Sequence, residues 1–183
     1  MKAVRYHRYG GPEVLQVDEV PEPHAGPGEV RVKVQAAGVN PIDVKMREGM
    51  MSGGSSLPSP VITGLEAAGI VDEVGQGVTG TEVGDAVFGF TVAGAAAEHA
   101  VLNHWAHKPD NVSVVEAAGM SLVSETAARV LRELDVKAGD TVLVHGASGG
   151  VGQAAIQLAR HAGASVIGTA SESNHDLLRS LGA

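Results

Sequence analysis

Cysteine is missing from this sequence altogether. That removes disulfides, thiolate metal sites and cysteine nucleophiles in one step, and it fits a reducing compartment. Aromatic residues are scarce, at 3% of the chain, so a core must be assembled from Val, Ala, Leu and Ile. Long apolar runs are also wanting. Nothing approaches the roughly 20 residues that a membrane-crossing helix needs, so no membrane partner is expected. The first ten residues carry Lys2, Arg5, His7 and Arg8 without an apolar stretch, which is not the pattern of a secretory leader. The expected location is the cytoplasm. Basic clusters are lacking too. Thirteen Lys and Arg stand against 21 Asp and Glu, a formal charge of −8. Phosphate contacts need clustered cations, so no nucleic acid partner is expected.

What is present is apolar and glycine-rich: 44% hydrophobic residues and 25 glycines. Disorder is excluded by the first figure, and many turns or close backbone approaches follow from the second. The first half reads as short strands at 3–6, 15–20, 30–34, 69–74, 86–90 and 98–102. Val30-Arg31-Val32-Lys33-Val34 alternates with period two, as a half-buried strand does. Such spacing points to a compact, barrel-like β domain. Residues 40–48 suit a short helix with Asn40 as N-cap and Pro41 in the first turn. Residues 50–60 form a Gly/Ser/Pro-rich loop. Near Ser113 the pattern changes. Ser113 and Glu116 have capping-box spacing, and helical spacing follows at 116–120 and 126–134. Then come an apolar strand at 141–144, a helix at 149–161, a second strand at 165–169 and another helix from 174. The apolar runs predict strands buried on both faces. The helix at 149–161 is expected to bury Val151, Ala155, Leu158 and Ala162. Strand–helix–strand–helix order opens a doubly wound sheet.

The sharpest motif joins the first of these strands to its helix: Gly146-Ala147-Ser148-Gly149-Gly150-Val151-Gly152. A glycine loop between a strand and a helix is the setting of a dinucleotide fingerprint. Ala147 stands in for the first glycine. Gly149 lets the backbone approach a pyrophosphate, and Gly152 lets the helix pack against the strand. Amides at the helix start favour phosphate charge. The end of the second strand sets cofactor choice. NAD sites place an acid there, whereas this strand runs into Ala170-Ser171. Ser171, Ser173, Asn174 and His175 can bond a 2′-phosphate, which favours NADP(H). Glu172, two residues on, is the competing selector.

Four segments occur in order: Gly10-Gly11-Pro12-Glu13-Val14-Leu15, Ala36-Ala37-Gly38-Val39-Asn40-Pro41-Ile42-Asp43, Glu66-Ala67-Ala68-Gly69-Ile70-Val71, and the glycine loop. Together they resemble the quinone oxidoreductase (zeta-crystallin-like) branch of the medium-chain dehydrogenase/reductase superfamily, over essentially the whole chain. The resemblance implies an α/β protein. A GroES-like β-rich catalytic domain, 1–120, would be followed by the first part of a Rossmann NADP-binding domain, 121–183. It implies hydride transfer from NADPH to a quinone or activated enone; the free edges of the Val142 and Val166 strands favour association, as a homodimer. An enoyl reductase of the same superfamily is the runner-up. Where zinc relatives carry a Cys and a His ligand, this chain has Asn40 and Leu65, so no zinc is expected. His99, His104 and His107 are read as surface or locally bonded histidines in a strand and the loop after it. Asn40 is placed to orient substrate or nicotinamide, besides capping its helix. Asp43 is placed to hold the Asn40 loop or join a proton relay. Lys45 stands where many relatives carry Tyr; it either stabilises negative charge or points to solvent. Thr126 lies in a segment that runs beside the nicotinamide in relatives. A doubly wound fold has about six strands and only two are legible. The chain is therefore expected to be partial, lacking on the order of a hundred residues, and to be a weak binder or inactive by itself.

Overall fold

A computed structural model describes residues 1–57 and 59–183. Pro58, within the 50–60 loop, lies outside the described residues. The chain divides into two units, 1–121 and 122–183.

The first unit is built on β1 (Lys2–Tyr6), β2 (Leu15–Glu19), β3 (Val30–Ala37), α1 (Pro41–Arg47), β4 (Val61–Ile62), β5 (Glu66–Val74), β6 (Ala86–Thr91), β7 (His99–His107) and α2 (Val114–Ala118). Strands β3, β5, β6 and β7 close into a barrel by antiparallel pairing, and β2-β1-β4 form a small sheet beside it. In β3, Val30 and Val32 point inward and are fully buried, with Arg31 between them and Lys33 after them less buried. They meet Ala67, Val71, Val87, Ala100 and Leu102. Small aliphatics fill the barrel in place of the missing aromatics. Trp105 is half-buried against it and donates to Thr81 Oγ1 at 3.0 Å. The closed barrel of short strands is the compact β domain that the strand spacing predicts.

Several strand bounds differ from the expectation, β3 running on to Ala37 among them. β5 begins at Glu66 rather than residue 69, because Ala67 and Ala68 pair with Ala37 and Ala36 of β3. Alanine has weak strand preference, and pairing overrides it. β7 continues to His107, paired with β6. All three histidines therefore lie in one strand rather than partly in a loop. β4 has only two residues and pairs with Tyr6 and Arg5; so short a strand leaves no periodic signal.

The Ser113–Glu116 capping box is present. Glu116 N–H bonds Ser113 Oγ at 3.2 Å, and Ser113 N–H bonds the Glu116 carboxylate at 2.9 Å. Bonds from the Ser113 hydroxyl and amide hold the Glu116 carboxyl below its usual range. The box is thus complete above the ordinary glutamate pKa and is lost as pH falls through the lowered value. Ser113→Ala should destabilise the protein by about 1 kcal/mol at neutral pH, read as a lower urea midpoint with unchanged slope.

The second unit runs α3 (Ser121–Glu133), β8 (Thr141–His145), α4 (Gly150–His161), β9 (Ser165–Thr169) and α5 (His175–Leu181), with a 3-10 turn at Glu172–Asn174. Residue 121 of α3 falls at the unit boundary. β8 and β9 are parallel, Thr141 opposite Ser165 and His145 opposite Thr169. The core gathers Ala147, Ile156, Ala159, Ala164, Val166 and Leu178. Two expectations are corrected here. The strands are not buried on both faces: Leu143 is 55% and Ile167 56% exposed. Helices α4 and α5 cover the face that carries Val166. The helix face expected around Val151 is also wrong. α4 buries Gly152, Ile156 and Ala159, while Val151 and Ala162 are exposed. The two stripes differ by one residue, and packing on Val166 and Leu178 selects the second.

Candidate functional site

In the first unit the site residues are set by the start of α1. Asn40 is the extended N-cap and Pro41 opens the helix. Three residues later Asp43 points back, and its Oδ2 accepts the Asn40 backbone N–H at 2.7 Å. The Gly64 N–H also bonds the Asp43 carboxyl. The Asn40 side chain turns the other way: Nδ2 donates to Glu66 Oε1 at 2.7 Å. Asn40, Asp43 and Glu66 are thereby tied together, with Glu66 fully buried and Asp43 buried. Lys45 is exposed on the outer side of α1.

A cleft of about 530 Å³ opens in this unit, lined by Tyr6, Asp43, Met46, Ile62, Thr63 and Thr91 among others. Lys45 does not line it. Burial pushes the Tyr6 hydroxyl above its usual range, helped by Tyr9. Burial also raises the Asp43 carboxyl, against the two backbone N–H bonds. Sequence reasoning passed over Tyr6 and used Glu66 only as a family mark. Neither stands out by spacing; both acquire meaning from burial.

A raised carboxyl has a definite linkage sign. Asp43 stabilises the fold fully below the ordinary aspartate pKa, and that contribution is lost as pH rises through the raised value. Asp43→Asn should therefore flatten this acid-side portion of the stability profile. The check is urea midpoint against pH for both proteins. Parallel profiles would show that Asp43 is not the group responsible.

In the second unit the loop 146–152 carries the chain from β8 into α4, with Gly149 as N-cap. Ala147 is fully buried beneath it. A Cβ on Gly152 would lie 2.6 Å from Ala147 Cα and 2.7 Å from Gly146 O. Only glycine allows this approach of helix to loop. A Cβ on Gly149 would meet nothing nearer than 3.4 Å, so its outer side is open. First-turn amides have no partner within a helix and face outward toward an anion.

Polar groups gather where β8 and β9 end. Asn174 Nδ2 donates to Ser171 Oγ at 3.1 Å and to Ser148 Oγ at 3.4 Å. His175 Nε2 lies 3.2 Å from Ala170 O, and Ser171 Oγ is 3.5 Å from Ser173 Oγ. Ala170 is the first residue beyond β9, and Glu172 opens the exposed turn after it. Thus Ser148, Ser171, Ser173 and His175 are brought beside the glycine loop. Thr126 is tied to its own helix, donating to Leu122 O at 2.7 Å. A second cleft, of about 450 Å³, lies along the loop between α3 and β8. Its wall includes Val130, Leu134, Leu143, Gly149 and Val151. Open amides and a hydroxyl cluster fit a dinucleotide phosphate.

His99 Nε2 pairs with Asp72 at 3.3 Å and His107 with Asp85 at 3.1 Å. Among the described residues no group of three or more His, Asp or Glu side chains is arranged to hold a metal. No helix among them is long and apolar enough to cross a membrane.

Comparison with known proteins gives a consistent answer. The alcohol dehydrogenase GroES-like domain matches residues 26–114. A quinone oxidoreductase of Rattus norvegicus is 41% identical over 191 residues, covering 100% of this chain and 57% of the relative. The Escherichia coli quinone oxidoreductase, solved in complex with NADPH, superposes with a TM-score of 0.82 at 34% identity, over 100% of this chain and 57% of that one. The CurK enoyl reductase gives 0.87 at 31% identity, over 98% and 57%. The chain spans about half the length of the curated relatives it matches.

Proposed function

The chain belongs to the quinone oxidoreductase branch of the medium-chain dehydrogenase/reductase superfamily, and from that premise we propose an NADPH-dependent, zinc-free reduction of a quinone or activated enone. The observation that carries the cofactor half is the collar of Ser148, Ser171, Asn174 and His175 beside the glycine loop, with Ala170 where an NAD site has an acid. The first-turn amides of α4 would hold the pyrophosphate. The collar would hold the 2′-phosphate, with Ser173 beside it. Thr126 would border the nicotinamide end. NADPH, when bound, supplies the hydride.

The chain's own residues do the rest. The cleft of the first unit offers an apolar floor from Met46 and Ile62 to a ring and polar edges from Thr63 and Thr91. Asn40 orients the acceptor or the nicotinamide through its amide. Asp43 holds the Asn40 loop and, with a carboxyl raised by burial, is suited to keep and pass a proton in the cleft. Lys45, exposed and outside the cleft lining, either stabilises negative charge at longer range or points to solvent. Asn40 and Leu65 replace the expected zinc ligands, so carbonyl polarisation falls to the substrate. A conjugated acceptor meets that need by delocalising the charge it receives. A homodimer belongs to the same reading.

The similarity to an enoyl reductase favours a second reading, in which the acceptor is an enoyl thioester. One substrate panel, run with NADPH on a full-length version of the enzyme, separates the two. NADPH oxidation should be stimulated by quinones and simple enones more than by enoyl thioesters. Exclusive use of thioesters would favour the second reading. About one zinc per chain, retained after chelation, would overturn the zinc-free one.

A further inference from the structure

A buried carboxylate stands behind the candidate site without a part in the proposed chemistry. Glu66 opens β5 and is fully buried. Burying a carboxylate costs more than burying an apolar side chain of similar volume, unless geometry repays it. The fold makes room for it at a second position. A Cβ on Gly38 would lie 2.4 Å from Glu66 Oε1 and 2.7 Å from the Ala118 carbonyl oxygen. Residue 38 must stay bare for the carboxylate to sit there. The Gly38 N–H also bonds the Glu66 backbone carbonyl at 3.1 Å, which fixes the two segments in register. Glu66 Oε1 then receives Asn40 Nδ2 at 2.7 Å.

We propose that Glu66 is a positioning residue for Asn40, and that it fixes the orientation of the amide at the start of α1. A carboxylate oxygen accepts and an amide nitrogen donates, so the pair is made with Nδ2 turned inward. With Nδ2 on Glu66, the carbonyl Oδ1 is left toward the Asp43 backbone N–H, the capping-box side of the amide at the start of α1. The inference rests on the reading of Asn40 as a ligand-orienting residue. The hold on Asn40 is a separate, observable matter.

The test has two arms. The first is exchange of the Asn40 side-chain amide protons with water, measured by NMR on the 183-residue protein. Exposed Asn103 is the internal reference. Asn40 should exchange at least about tenfold more slowly than Asn103, and Glu66→Ala should remove most of that difference. Glu66→Gln keeps the shape and an accepting oxygen without the charge. It should shift the resonance and leave exchange intermediate. If Glu66→Ala does not fold, Glu66→Gln decides: a resonance unchanged in position and exchange overturns the proposal. Wild-type exchange equal to that of Asn103 also overturns it. The second arm is a double-mutant cycle in the NADPH-dependent assay of a full-length version of the enzyme. Glu66→Ala should lower kcat/KM when Asn40 is present and have no further effect beside Asn40→Ala. Additive losses contradict action through Asn40. If Asn40→Ala alone keeps full activity, the reading of Asn40 fails, while the exchange arm still judges the hold.

Discussion

Gly152→Val should remove detectable NADPH binding and lower the stability of the second unit. The cause is steric and local. A Cβ at 152 meets backbone, not a flexible side chain: Ala147 Cα at 2.6 Å and Gly146 O at 2.7 Å. No rotamer change relieves it. α4 must move away from the loop, or the loop must lift. Either shift misaims the first-turn amides and opens the packing of Ala147 against Ile156 and Val166. Overpacking of this kind costs about 1–3 kcal/mol. Binding should suffer more than stability, because a phosphate held by several amides loses them together. A loss of at least about 100-fold in affinity is expected, equivalent to roughly 2.7 kcal/mol. Gly149→Ala is the control. Its Cβ meets only ordinary contacts, so it should fold normally and lose affinity only if a ligand approaches that side. Fluorescence titration with NADPH and urea melts of both variants make the check. Normal binding by Gly152→Val would mean that the helix start is not the phosphate site.

Ala170→Asp should reverse cofactor preference. The new carboxylate would sit at the end of β9, next to the Ser171–Asn174 cluster and within the turn closed by His175. There it would repel a 2′-phosphate and accept hydrogen bonds from the ribose hydroxyls. A change of about 2–3 kcal/mol in relative binding is a shift of roughly 30- to 150-fold in the NADPH/NADH ratio. His175→Ala should weaken NADPH alone and leave NADH as it was. Wild-type preference for NADH would identify Glu172 as the selector and place the end of β9 differently in the recognition scheme.

Much of the architecture was legible wherever one signal acted alone. The β3 alternation, the Asn40–Pro41 helix start and the Ser113–Glu116 box are local, and each is found where the residues place it. Misses arose where tertiary pairing overruled local preference. Ala67 and Ala68 are strand residues because β3 lies beside them, and 103–107 are strand because β6 does. The α4 face was read one residue out. Val151 and Ile156 are equally apolar, and only the partner surface distinguishes them. The site shows the same division. Asn40 and Asp43 lie three apart on one helix turn, so their meeting was foreseeable. Glu66 joins them from 26 residues away through Asn40, and no local pattern announces a contact of that length. For Lys45 the sequence leaves two roles open; the side chain is exposed and is not part of the cleft lining.

The most direct test of the central claim is an NADPH titration followed by amide NMR shifts. The account predicts that the largest changes fall on residues 147–152 and 171–175, saturate, and occur at lower concentration with NADPH than with NADH. Changes confined to other segments, or equal responses to the two cofactors, would contradict it.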